Sequence, residues 1–482
     1  MYGLVKNLLN GRFVEASGGG VLDVIDPASD GNVVGQVPAL EPADLVAVFD
    51  AAALGAVAWR AAGALARGRV LLTAAQLLRE RAADLADVIV AEMGKTTAEA
   101  TGEVGKAAEF FEYFGVLTRL PYGELLPDAR PDTYAMQVRE PLGVVVLVTP
   151  WNDPLLTPAR KLAPALAAGN AVVIKPASEA PLITLRLAEI LNEAGLPDGV
   201  LGTVTGRGSS IGEAITADPR IRAVSFTGST VVGLGLQRRL AGRNVRVQTE
   251  MGGKNAAVVL DDADLDLAIP TIVAAAFGQA GQRCTATSRL IVQRGIAERV
   301  RSRVAEAVMA LKVGPGSSRG VDLGPVVSLS ARDEIAGRID AARAQGADLL
   351  AATVLAPQQQ AVGAFVAPTF LAVDPGNAIW QEEVFGPVLA MTVVDTLDDA
   401  INRVNDSSYG LSSAIFTTSL ESSQTFIDGV DTGQVSVNLP TSGWDVHEPF
   451  GGFKDSGSPF KEQGLEALRF YTRVKTAAVR TR

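Results

Sequence analysis

From Val144 onward the chain alternates short apolar runs with helix-length segments, and this alternation restricts the fold more than any other feature. Val144–Val148 is five consecutive apolar residues, the length and character of a strand buried on both faces. A helical stretch follows at 155–166. Gly169-Asn170 turns the chain, and 171–174 reads as the next strand. The pattern continues with helices at 181–194, 211–217 and 231–240, and strands at 202–204, 223–226 and 245–248. Strands alternating with helices predict a parallel sheet covered on both faces. In such sheets ligands bind beyond the carboxyl ends of the strands.

A second alternating run begins after Lys254, at 256–260, 263–279, 290–292 and 297–311, and continues to Ser436. Two α/β units are therefore expected to meet near Gly252-Gly253. Upstream, 49–59 and 70–93 have the spacing of amphipathic helices. Residues 121–140 break that character with scattered Pro and Gly and the alternation Tyr134-Ala135-Met136-Gln137-Val138, which predicts a hairpin-like excursion. The tail, 468–479, reads as an outlying strand.

At 482 residues, with 48% apolar and 20% charged side chains, the chain is long enough for two or three globular domains. A net charge of −10 argues against non-specific nucleic-acid binding, which rests on clustered Lys and Arg. The first residues lack a charged segment followed by an apolar run, and 144–148 is too short to span a bilayer. The expectation is a soluble cytoplasmic protein. With one Cys and one His there is no set of ligands for a structural metal, so no metal is expected.

The single cysteine, Cys284 in Gly281-Gln282-Arg283-Cys284, is either a buried filler or a nucleophile. Upstream lies Glu250, in Glu250-Met251-Gly252-Gly253-Lys254. Thr149-Pro150-Trp151-Asn152 follows a buried strand; it is either an ordinary turn or presents the Asn152 amide to an oxyanion. Lys175 ends the next strand, where a Lys is either solvated or placed to meet a nucleotide. Thr227-Gly228-Ser229-Thr230, with Gly233 beyond, opens a helix and is either a cap or a pyrophosphate site. Glu383, in Glu382-Glu383-Val384-Phe385-Gly386-Pro387, is a surface acid or a ribose ligand. There is no G-x-x-x-x-G-K-[ST] loop. Gly206-Arg207-Gly208 and Gly212 miss the G-x-G-x-x-G spacing by one residue. The lone His447, among Asp445, Glu448 and Pro449, reads as a loop residue.

In this order the segments resemble the aldehyde dehydrogenase superfamily over essentially the whole chain. The match continues through Pro449-Phe450-Gly451-Gly452, Lys461-Glu462-Gln463-Gly464 and Tyr471-Thr472. The resemblance implies an α/β fold with a Rossmann-like parallel-sheet cofactor domain (1–120 and 141–252) and an α/β catalytic domain (253–452). A small β excursion (121–140 with 466–482) would make a homodimer or homotetramer.

It also implies roles. Cys284 would attack a small-molecule aldehyde as a thiolate. The oxyanion would be held by the Asn152 amide and the Cys284 N–H, and Glu250 would activate water to hydrolyse the thioester. Lys161 and Glu462 match positions that pass the proton onward. Thr149, Pro150, Trp151, Lys175, Ser178, Thr227, Gly228, Ser229, Gly233, Met251, Glu383 and Phe385 would bind NAD or NADP. Glu250 itself favours water over coenzyme A as the acyl acceptor.

Two positions depart from the family pattern. Ser178 stands where many NAD-preferring members carry Glu, so NADP is expected to be accepted. Asp153 follows Asn152, where an aromatic residue is common. Asp153 either makes the substrate entrance polar or caps the helix that begins near Leu155. The Cys284 and Gly457–Gly464 segments are similar to the semialdehyde-oxidising branch, such as 2-oxoglutarate semialdehyde dehydrogenases. A substrate-facing Asp153 argues instead for a polar or aromatic aldehyde without a carboxylate. A catalytically silent protein of the same fold is the remaining alternative.

Overall fold

The computed structural model describes residues 1–120 and 123–482. Five parallel strands form one sheet in the order Arg246–Glu250, Ile221–Thr227, Val144–Val148, Ala171–Lys175, Leu201–Thr203. Side chains alternate between its faces. Val145, Leu147, Val172 and Ile174 join a core with Leu162, Leu166, Phe110 and Phe114. Val144, Val146, Ala171 and Val173 face Phe49, Val48, Val204 and Ile211. These central strands are buried on both sides, which is why they carry no polar alternation.

A seven-stranded sheet follows, in the order Asp348–Ala352, Thr369–Ala372, Val388–Val394, Thr287–Gln293, Asn255–Val259, Ser412–Phe416, Gln434–Val437. Asp348–Ala352 alone pairs antiparallel. The first sheet ends at Glu250 and the second starts at Asn255, so Gly252-Gly253 is the link between them. Thr472–Arg480 pairs antiparallel with Thr133–Pro141, which pairs with Gly123–Leu126. The excursion and the tail thus share one three-stranded sheet. Its expected start at Pro121 lies outside the described residues.

Several elements differ from expectation. The helix expected over 70–93 is two, Ala64–Glu80 and Ala82–Met93, broken at Arg81 where φ is −106° and ψ 17°. The segment expected helical over 263–279 ends at Phe277. Gln279 and Ala280 then adopt φ of 53° and 54°, a left-handed conformation uncommon outside Gly, just ahead of Cys284. The first forty residues form two short hairpins, Asn7–Leu9 with Arg12–Val14 and Val21–Ile25 with Val33–Pro38. Such short, half-exposed strands leave little periodic pattern to read. Among the described residues no single helix is long and apolar enough to cross a membrane.

Candidate active site

The carboxyl ends of the five-stranded sheet gather the segments singled out in the sequence. Thr149 N–H donates to the Lys175 carbonyl (3.1 Å) and Gly228 N–H to the Glu250 carbonyl (3.1 Å), so these strand ends are tied side by side. They form one wall of a cavity of about 530 Å³. It is lined by Pro150, Trp151, Asn152, Asp153, Thr227, Gly228, Ser229, Glu250, Met251, Cys284, Glu383 and Phe385. Thr149, Lys175, Ser178 and Gly233 stand outside that lining, and Lys161 and Glu462 lie behind Glu250. A second cavity, of about 310 Å³, is lined by Lys95, Asp153, Arg160, Arg283, Cys284 and Phe450 among others. The two share Cys284, so the thiol faces a separate approach on each side.

The loop carrying Cys284 is held by its carbonyls. The Asn152 amide donates to Gln282 O (3.0 Å), and the Asn255 amide to Cys284 O (2.8 Å) and Ala286 O (2.9 Å). The Thr441 hydroxyl donates to Thr285 O (2.7 Å). An amide nitrogen has two protons, so Asn152, which lines the same cavity as Cys284, keeps one unused by this bond. Burial pushes the Cys284 thiol up to about 12; Arg160 pulls it down, while Asp153, Glu250 and Glu383 push it higher. A thiol held there is protonated at neutral pH and needs a base to become a nucleophile.

Glu250 is 2% exposed. Its Oε1 accepts from the Gln248 amide (3.2 Å), and its Oε2 has no hydrogen-bond partner. Any side chain at Gly451 would place a Cβ 2.4 Å from Oε1. Burial raises its pKa well above the usual range. Glu462 adds to this, and Lys161 and Lys461 oppose it. Gln248 Oε1 in turn accepts from Lys161 Nζ (3.4 Å), which pairs with Glu462 and donates to Ser225 Oγ (2.7 Å). A polar path thus runs from Glu250 through Gln248 to a buried ion pair.

The larger cavity fits a dinucleotide. Among the described residues, the buried hydroxyl of Thr227 in its lining, and that of Thr149 just outside it, have no hydrogen-bond partner. The helix Thr230–Leu240 begins at Ser229 with no side-chain cap, leaving its first N–H groups for an anion such as pyrophosphate. Close packing requires glycine along this wall. A Cβ at Gly228 would meet the Phe226 ring at 2.6 Å, at Gly233 the Met251 sulfur at 2.4 Å, and at Gly252 the Glu383 carboxylate at 2.2 Å. Glu383 accepts from Gly253 N–H (2.8 Å), and burial raises its carboxyl to about 7. Trp151 and Phe385 meet edge to face, with ring centroids 5.4 Å apart. Lys175, lowered by burial, donates to Pro176 O (3.0 Å), and Ser178 Oγ to Gly206 O (3.3 Å).

Asp153 does not cap the adjacent helix. The N–H groups of Leu155 and Leu156 donate to Glu103 Oε1 (2.8 and 2.9 Å). The Asp153 carboxylate instead accepts from Lys95 Nζ (2.7 Å) and the Gln279 amide (2.9 Å). Gln279 Oε1 accepts from Arg283 Nε. Burial favours the neutral form of Asp153, but Lys95 and Arg283 more than offset it and hold the carboxyl below the usual range. Arg160 lies over the Phe450 ring (4.8 Å to its centroid), with a buried Nε that has no partner.

Lys95, Glu103, Arg160, Gln279 and Arg283 were not singled out in the sequence. Only Arg160 and Arg283 carried a clue, as charged neighbours of Lys161 and Cys284.

Comparison with known proteins agrees with this geometry. The model of the "Aldehyde dehydrogenase family" matches residues 13–477. The chain is 42% identical to alpha-ketoglutarate semialdehyde dehydrogenase of Haloferax volcanii over 98% of both chains. It is 40% identical to 2,5-dioxopentanoate dehydrogenase of Saccharolobus solfataricus, over 96% of this chain and 97% of that one. Among solved structures, betaine aldehyde dehydrogenase of Staphylococcus aureus in complex with NAD+ superposes with a TM-score of 0.96 at 32% identity. The superposition covers 99% of this chain and 95% of that one.

Proposed function

Because the chain belongs to the aldehyde dehydrogenase family and is an NAD(P)-dependent aldehyde dehydrogenase, we propose that its substrate is a short semialdehyde whose far end is a carboxylate. The observation that carries this reading is the pair of guanidinium groups, Arg160 and Arg283, on the wall of the smaller cavity beside Cys284. Among the described residues Arg160 Nε is buried without a partner, although its Nη1 lies 3.6 Å from Glu462, and an anionic ligand would satisfy that donor. Asp153, which by itself argues against an anionic substrate, is paired with Lys95 at 2.7 Å, a cation it shares with Glu103. The semialdehyde dehydrogenases among the relatives support the same choice.

In this reading Glu250 removes the Cys284 proton. The sulfur attacks the aldehyde carbon, and the carbonyl electron pair moves onto oxygen. The free N–H of Asn152 and the Cys284 backbone N–H receive that oxyanion. NAD(P), held in the larger cavity when bound, would supply the acceptor for the hydride. Collapse of the oxyanion releases that hydride and leaves a thioester on Cys284. Glu250 takes a proton from water, and the hydroxide displaces the thiolate to give the carboxylic acid. The Gln248 amide positions Glu250 by donating to its Oε1, and Lys161 and Glu462 are the buried pair that would take the proton onward.

The reading extends to the whole protein. The exposed apolar side chains of the three-stranded sheet, Leu125, Tyr134, Val474 and Val479, support a homodimer or homotetramer. The single cysteine suits a cytoplasmic location. The test of the substrate class compares 4-oxobutanoate with butanal under saturating cofactor. Preference for the carboxylate, lost in Arg160→Met or Arg283→Met, supports it. Equal kcat/KM for the two aldehydes in the wild type would sink it.

A further inference from the structure

Lys95 is an unusual place for a cation. It follows Gly94, which closes the helix Ala82–Met93 in a left-handed conformation (φ 83°). Its backbone is wedged against the second unit. A Cβ at Gly316 would lie 1.9 Å from the Lys95 carbonyl oxygen, and one at Gly324 would lie 1.8 Å from that of Gly94. The next residue, Thr96, caps the helix Thr97–Leu117 through a reciprocal pair of bonds with Glu99. The chain therefore cannot shift at Lys95. Its side chain is 1% exposed, with Nζ 2.6 Å from Glu103 and 2.7 Å from Asp153.

The two carboxylates differ in what else they do. Glu103 is spent on the N-terminus of the helix Leu156–Ala168, where two backbone N–H groups share its other oxygen. Asp153 lines both cavities and has a further partner only in Gln279. Gln279 is itself fixed, its backbone N–H donating to Glu99 (2.6 Å) and its side-chain Oε1 accepting from Arg283. A continuous chain of contacts thus runs from Glu103 through Lys95, Asp153 and Gln279 to Arg283, the neighbour of Cys284.

We propose that Lys95 determines substrate specificity without touching the substrate, by countering the Asp153 charge so that the cavity beside Cys284 accepts an aldehyde bearing a carboxylate. This rests on the semialdehyde reading above. With Lys95 present, one cation stands between the Asp153 and Glu103 carboxylates, and the guanidinium groups of Arg160 (Nη1 3.6 Å from Glu462) and Arg283 line the same cavity. Without it, Asp153 and Glu103 confront the same anion with one cation fewer, and like charges that meet across a binding site discriminate strongly. Lys95 is a positioning residue for electrostatics, and its loss falls on the charged substrate selectively.

The test measures the ratio of kcat/KM for 4-oxobutanoate to that for butanal in the wild type, Lys95→Met, Lys95→Arg, Asp153→Asn and the Lys95→Met/Asp153→Asn pair. The expected result is a fall of at least about ten-fold in the ratio for Lys95→Met, carried by KM for the carboxylate substrate. Lys95→Arg and the double variant should recover most of it. If Lys95→Met does not fold, Asp153→Asn alone decides, because removing the carboxylate should raise the ratio above wild type. A wild type that prefers the carboxylate, with an unchanged ratio in Lys95→Met or, failing that, in Asp153→Asn, overturns this inference alone. A wild type with no preference overturns the semialdehyde reading beneath it.

Discussion

The Asn152 side-chain amide and the Gln282 carbonyl, 3.0 Å apart, join the carboxyl end of the five-stranded sheet to the loop that carries Cys284. One proton of the amide fixes the loop, and in the proposed mechanism the other meets the reacting oxygen. Replacing Asn152 by Ala removes both. We expect kcat to fall about 10²–10³-fold, the usual cost of one oxyanion donor, with a smaller change in KM. The rate of thiol alkylation at Cys284 reports the loop separately. Unchanged kcat in a folded Asn152→Ala protein would show that another group holds the oxyanion.

Glu250 is buried, and its carboxyl is raised by burial and by Glu462. Only the ionised form can take a proton from water. Thioester hydrolysis should therefore climb as pH rises through the elevated pKa, above the ordinary carboxylate range. Glu250→Gln cannot ionise. Mixing that variant with aldehyde and cofactor should give one equivalent of reduced cofactor per site and then stall. Steady turnover after the burst would assign hydrolysis to a different base.

Glu92 bears on stability rather than turnover. It is fully buried and accepts from the N–H groups of Leu182 and Ile183 at 2.7 and 2.9 Å, capping the helix Leu182–Glu193. Burial, aided by Glu103, raises its carboxyl from 4.5 to about 8. Between those values the native protein keeps a proton that the unfolded chain has lost. The stability this supplies is complete below about 4.5 and is lost as pH rises through about 8. The slope from this one group is at most about 1.4 kcal/mol per pH unit. Glu92→Gln should flatten the fall in thermal midpoint between pH 6 and 8. An identical slope in the variant would mean that Glu92 is ionised in the folded protein.

What the sequence disclosed follows from how far apart the cooperating residues lie. The five-stranded sheet was legible because Val144–Val148 and its neighbours are buried on both faces and carry uninterrupted apolar runs. Cys284 stood out because it is the single cysteine, and Glu250 because it opens the Gly252-Gly253 segment between the two α/β units. The Lys95–Asp153 pair was invisible because its partners are 58 positions apart and neither belongs to a motif. For the same reason Asp153 read as an isolated charge, and the sequence weighed it against an anionic substrate. The left-handed pair Gln279-Ala280 was equally hidden, since nothing in an apolar helix-like stretch marks where tertiary packing stops it.

Ser178 provides the test of cofactor choice. Its hydroxyl donates to the Gly206 carbonyl at 3.3 Å and carries no charge. Lys175 ends the strand Ala171–Lys175 just ahead of Ser178. A 2′-phosphate brought to this region meets no carboxylate at position 178, whereas Glu there would repel it and bind the free ribose hydroxyls of NAD instead. The wild type is expected to use NADP as well as NAD. Ser178→Glu should lower the ratio of kcat/KM for NADP to that for NAD by at least about ten-fold, the size expected when like charges are set against each other at a binding site. Parallel initial rates with both cofactors at fixed aldehyde measure it. A wild type restricted to NAD, or a variant whose ratio does not move, would mean that the 2′ position is read by residues other than Ser178.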